Sequence, residues 1–234
     1  MRNDLISNAP VTQIQDRPEA DYIELERLSV KLGIPVPQVF LTVSVSKGGK
    51  VVSTHRQRAR TWNRNYWNYL IACISGSPVV VTNFGAGYLS LKQLAGTVAA
   101  IPANAVYLIP DGAAGNSSRG IIAGRGAGAE DFEGYVLTTP IANGTGANQM
   151  TYAGHSALVQ AYNAGTKLWT VTLKRVLTNT SGGAIDVTET GISYYYTALG
   201  SYVMFCRDLL AAAVNVPNNQ TITIAYDITL TFPA

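Results

Sequence analysis

The longest regular pattern in the chain is TITIAYDITLTF, residues 221–232. Ile222, Ile224, Tyr226, Ile228, Leu230 and Phe232 occupy every second position. Thr221, Thr223, Ala225, Asp227, Thr229 and Thr231 lie between them. Successive strand side chains point to opposite faces, so this stretch predicts a strand with one dry face and one hydrated face. At roughly 3.3 Å per residue it would extend about 40 Å, about twice the usual strand length.

VFLTVSVSKGGKVVST, residues 39–54, alternates in the same way around Gly48-Gly49 and predicts a β-hairpin. A two-residue turn there would set Arg56 opposite Leu41 and Arg58 opposite Val39, two arginines on an apolar face. The expectation is therefore that the chain leaves the sheet near His55. TWNRNYWNYLIACI, residues 61–74, then repeats Trp62, Tyr66, Tyr69, Leu70, Cys73 and Ile74 at three- and four-residue intervals. That spacing predicts an amphipathic helix, with Thr61 as N-cap and Gly76 as terminator.

Strand patterns resume in PVVVTNF (78–84), GYLSLKQL (87–94), AVYLIP (105–110), RGIIAG (119–124) and NQMTYAGHSALVQA (148–161). LWTVTLKRVLTN (168–179), AIDVTETGISYYY (184–196) and GSYVMFCRD (200–208) follow, with a link read before the final strand. Short strands at even spacing, punctuated by Gly, Pro and Asn, predict a mainly β fold: an antiparallel β-sandwich, jelly-roll-like, over residues 39–234. Residues 1–38 read as an N-terminal arm plus a short helix. Pro18 and Glu19 mark its start, Leu25, Leu28 and Leu32 form its stripe, and Gly33 ends it before IPVP.

Composition sharpens this picture. Of 234 residues 47% are hydrophobic, enough for a core, while only 13% are charged, about half the usual share. Much of the surface must be Thr, Ser, Asn and Gly, or be covered by a partner. A net charge of +3 is too mild to point to nucleic acid by itself. No apolar run reaches the ~18 residues of a membrane span, and the first residues lack the apolar stretch of a secretory signal. Cys73 and Cys206 both sit among apolar neighbours; buried free thiols are the first reading and a disulfide the second.

Chemistry-bearing motifs are sparse. AGRGAGAED (123–131) has three spaced glycines, but no helical stripe follows, so a connecting loop is favoured over a dinucleotide site. PDGAAGNSSRG (110–120) and NGTGANQ (143–149) read as further loops at strand ends, able to carry binding. His55 and His155 have no cysteine pair nearby, so no metal site is assigned. GYLSLKQ and GHSAL both lack the nucleophile-elbow pattern. Asp131 and Glu133 are the one tempting carboxylate pair, read first as solvated loop charges. No catalytic residue and no cofactor is assigned.

The most distinctive segment interleaves Arg56, Arg58, Arg60 and Arg64 with Trp62, Tyr66 and Trp67. Arginine and aromatics together suit protein interfaces, and also phosphates with stacked bases. An interface role for Arg56, Arg58, Arg60, Trp62 and Arg64 is favoured over contact with nucleic acid.

Three stretches carry a family resemblance: HRQRARTWNRNYWNYLIACISG (55–76), RGIIAGRGAGAEDFEGYVLTTPIANGTGANQMTY (119–152) and LKRVLTNTSGGAIDVTETGISY (173–194). Together with the close, YVMFCRDLLAAAVNVPNNQTITIAYDITLTF (202–232), they resemble structural proteins of tailed bacteriophages. The resemblance covers about residues 40–232 and implies a virion component that works by assembly, as a homo-oligomer docked on other virion proteins of tail, baseplate, fibre or head surface. It transfers no active-site residue. A module of the tail that binds host-surface glycans through loops around Asn116 and Asn143 is the alternative. A polysaccharide depolymerase using Asp131 or Glu133 is a third reading, disfavoured by the scarcity of charge and histidine.

Overall fold

The computed structural model describes residues 11–13, 19–59, 62–75, 90–101 and 110–232. The strand runs at 78–84 and 105–110, together with Arg60, Thr61, Pro18 and Gly76, lie wholly or mostly outside them. Two sheets face each other in a mainly β sandwich. The larger contains β1 (Val11–Gln13), β3 (Lys50–Arg58), β2 (Gln38–Lys47), β12 (Gln220–Thr231), β9 (Leu168–Asn179) and β7 (Thr151–Tyr152) in that order, with β8 (Val159–Asn163) also on β9. The smaller has the order β11 (Ser201–Val216), β10 (Ile185–Tyr196) and β6 (Gly120–Gly124). Every pairing is antiparallel except β1 with β3.

The alternation seen in the sequence decides which side chains fill the space between the sheets. Val39, Leu41, Val43 and Val45 of β2 and Ile222, Ile224 and Tyr226 of β12 meet Ile121, Ile185, Val187, Ile192 and Val214. The pair β9·β12 continues past a corner into the pair β10·β11, so one long ribbon crosses from sheet to sheet. Asn179 rivets that corner. Its Nδ2 donates to the carbonyls of Gly183 (2.8 Å) and Val216 (2.7 Å), and its Oδ1 accepts from Ser181. A buried amide that satisfies donors and acceptor together lets the ribbon turn without orphaned polar groups.

Register shifts correct two sequence expectations. The chain does not leave the sheet at His55; β3 runs on to Arg58. Lys47 pairs with Lys50 and Ser46 with Val51, but Val45 pairs with Ser53, so Val52 is an extra residue. A one-residue bulge moves every later side chain to the other face. Arg56 thus pairs with Thr42 and Arg58 with Phe40, on the outer face, while Gln57 and His55 take the places beside Leu41 and Val43. The stretch after Asp208 is likewise not a link: β11 continues to Val216, and residues 210–213 together oppose Thr188 alone, because Glu189 pairs with Leu209 and Val187 with Val214.

Helix α2 (Arg64–Ser75) closes one end together with the pair β4 (Ser90–Lys92) and β5 (Val98–Ala100). Its N-cap is Asn63, whose Oδ1 accepts the Tyr66 N–H at 3.3 Å. Asn63 Nδ2 also donates to Met204 O and Gly134 O, Asn65 Nδ2 to Met204 O and Lys92 O, and Asn68 Nδ2 to Ser90 O. All three amides are buried. The ring of Tyr66 stacks near Trp62 (4.3 Å), and Tyr69 and Tyr194 lie 5.4 and 4.7 Å from Phe205. Phe205 is the extra residue of a second bulge, since Ile192 pairs with Cys206 and Ser193 with Met204; the bulge turns Phe205 toward the helix. Cys73 corrects a further expectation: it is an exposed residue of α2, while Cys206 is buried, and both are free.

Candidate interaction surface

The glycine-rich loops are built around buried charges. In the first, Arg175 projects from β9 fully buried and donates to five backbone carbonyls: Ala153, Arg119, Ile121, Ala113 and Asn116, at 2.7–2.9 Å. Removal from water pulls its pKa down from the ordinary arginine value, although the group stays cationic. Gly112 and Gly120 leave room for this cage. A Cβ on Gly112 would stand 2.8 Å from Arg175 Nη1, and one on Gly120 2.3 Å from His155 Nε2. His155 Nε2 accepts the Ile121 N–H at 2.7 Å, and burial together with Arg175 holds the imidazole pKa down at about 4.

In the second loop, Glu189 and Arg207 form a buried ion pair at 2.8 Å on the outer side of the smaller sheet. Glu189 also accepts N–H groups of Gly126, Thr138 and Thr139, while Arg207 donates to the carbonyls of Gly128 and Ala129. Cβ atoms on Gly124 or Gly126 would come within 2.5 Å of Glu189 Oε1. The spaced glycines of AGRGAGAED therefore let backbone close on a carboxylate of the chain itself. Glu133 is bidentate to Arg64 Nε (2.6 and 2.8 Å), and Asp131 accepts the Glu133 N–H, so both carboxylates are engaged in local structure.

The arginine-aromatic segment is dispersed by the fold. Arg56 lies over the Phe40 ring at 3.9 Å on the outer face of β3. Arg58 stacks on Tyr22 at 4.2 Å, donates to Gln38, and pairs with Glu26 at 3.3 Å. Arg64 sits in the first turn of α2 above Phe132. Trp62 turns inward, packed against both core clusters, and Arg60 lies outside the described residues. Arg56 and Arg58 share one face; Trp62 and Arg64 do not join them.

The strongest exposed apolar surface is elsewhere. Helix α1 (Glu19–Leu32) ends at Gly33 (φ +65°), with Ile34 N–H on Ser29 O and Gly33 N–H on Val30 O, a left-handed cap as the sequence predicts. It meets the body where Arg58 stacks on Tyr22 and pairs with Glu26. The apolar side chains face solvent: Ile23 is 57% exposed, Val30 75% and Leu32 63%, with Leu25, Leu28 and Ile34 also exposed. A groove of about 850 Å³ separates the C-terminal half of α1 from the sheet, lined in part by Val30, Leu32, Val36, Phe40 and Phe232.

Beyond the groove the long strands outrun their cover. Burial along β12 ends at Tyr226, Ile228 and Leu230 are half-buried, and Phe232 is 40% exposed. Trp169 (38%) and Tyr162 (51%) continue the same patch, their rings 6.0 Å apart and Tyr162 6.2 Å from Phe232. The one sequence signal for this overhang is the length of the final alternating run, which exceeds what a three-stranded facing sheet covers.

No family model, curated protein or solved structure matches the chain.

Proposed function

We propose that this protein is an assembly subunit, a structural component of a tailed-bacteriophage virion that forms a homo-oligomer and docks onto other virion proteins. The observation that carries the reading is the exposed apolar stripe of α1. A helix that exists for its own body turns its apolar stripe inward. Here Tyr22 lies against Arg58 of the body, while Leu25, Leu28 and Leu32 stay exposed, Leu32 at the groove between helix and sheet. An uncovered stripe continuous with a groove and an aromatic overhang is the mark of a surface that a partner removes from water. Each Å² so covered is worth about 25 cal/mol before association costs. The low charge content supports the same reading, since few surface positions resist burial.

Light scattering on the purified chain tests this. The wild type is expected to run as a discrete oligomer, and Leu25→Ser with Leu28→Ser and Leu32→Ser to run as a monomer with an unchanged circular dichroism spectrum. A wild-type chain that stays monomeric at high concentration defeats the proposal, and electron microscopy of intact particles tests the virion placement.

A second reading, a glycan-binding module of the tail, draws on the adjacency of two ordered loops: a Cβ on Gly115 would lie 3.7 Å from Asn143 Nδ2. Glycan-array binding lost on substituting Asn143 would favour it.

A further inference from the structure

We propose that the N-terminal arm is exchanged between copies, so that β1 of one chain lies on the β3 edge of another; this rests on the assembly reading above. β1 pairs parallel with β3, Val11 with Thr54 and Gln13 with Arg56, at the edge of a sheet whose other pairings are antiparallel. A three-residue parallel ladder is a weak hold for the arm it anchors. The helix that follows meets the body through Arg58 on Tyr22 and Glu26, while Leu25, Leu28 and Leu32 remain exposed.

The hinge between arm and body is Gly33-Ile34-Pro35-Val36-Pro37. Each proline fixes its own φ and holds the preceding residue extended, so Ile34 and Val36 are both biased away from turning. Such a hinge spaces the helix off its own body, as the groove beside Pro35 and Val36 shows. Exchange keeps the β1·β3 ladder in the same register, because the donor strand is identical in every copy. It costs no contact, and it lays Leu25, Leu28 and Leu32 between two bodies. Swaps of this kind are a low-cost route to association, favoured where the hinge opposes closure.

Cross-linking decides it on full-length protein in a Cys73→Ser background, where the remaining Cys206 is buried. One variant carries Val11→Cys and a second, differently tagged, carries Thr54→Cys; the two are mixed, denatured, refolded together and oxidised. Neither chain can link to itself between these positions. Exchange predicts a species of two chains, bearing both tags, that disappears on reduction. In the double variant Val11→Cys/Thr54→Cys it predicts species of two or more linked chains, not a monomer band. A monomer band with an internal link, in a protein that still scatters as an oligomer, overturns the exchange and leaves the assembly reading standing. The same band in a monomeric protein overturns both. Gln13→Cys with Arg56→Cys repeats the test should the first pair fail to fold.

Discussion

The loop of residues 110–121 and helix α1 are both surface segments, and they are secured in opposite ways. The loop has little regular structure but is pinned by a buried guanidinium that takes five of its neighbouring carbonyls. The helix has ideal local structure, down to a left-handed glycine cap, and little to hold it against its own body. Local order and tertiary attachment are therefore separate properties of this chain. Polar groups converging on a buried charge hold the loop, whereas the helix keeps its apolar side chains exposed.

That contrast is sharpest at Arg175. Arg175→Met removes the donors from five carbonyls, and stability should fall by about 4 kcal/mol in urea denaturation. Arg175→Lys should recover less than half of that, because an ammonium cannot present the planar fork that spans both sides of the cage. Next in size is Glu189→Gln, which leaves Arg207 buried without its anion; a loss of about 3 kcal/mol is expected, read in the same way. A loss below about 1 kcal/mol in either variant would place the holding of the loops elsewhere.

Acid offers a milder version. Burial first and Arg175 second hold the folded imidazole of His155 down at about 4, below its ordinary value near 6.5, while Asp111 favours protonation. A depressed folded pKa stabilises above the unfolded value and is lost as pH falls through the folded one. The contribution is thus whole above pH 6.5 and gone below 4. Its size is at most about 3 kcal/mol, and about 2 after allowing for solvent at the exposed edge of the ring. His155→Gln should flatten the melting profile between those pH values. Smallest of all, the triple serine variant of α1 should shift the stability of a dilute, dissociated chain by less than about 0.5 kcal/mol, measured by thermal melting at low concentration. A large shift there would mean that the leucines already serve their own fold.

Much of the architecture is legible in the sequence because alternation and helical spacing are local signals. β9, β10 and β12 match their patterns to within a residue or two, and α1 stops at its glycine. What misled was register. The extra Val52 is indistinguishable, in sequence, from any other valine in a strand, yet it moves both arginines of β3 to the opposite face. The exposure of Cys73 likewise depends on which elements pack beside α2, which spacing alone does not fix. For the candidate surface, the leucine stripe is visible in the sequence but its exposure is not. The glycines of 110–120 and 123–131 were visible as loops, whereas the side chains that require them, Arg175, His155 and Glu189, lie tens of residues downstream.

The place of β12 between β2 and β9 has a kinetic side. Thr229 meets Gln38 across a separation of 191 residues, so the local β2–β3 hairpin is expected to form before its neighbour arrives. Until then one hydrogen-bonding edge of β2 stands open, with Val39, Leu41, Val43 and Val45 unsheltered. Folding should accordingly be slow, and crowded nascent chains are prone to wrong pairings at that edge, a hazard that rises with expression level.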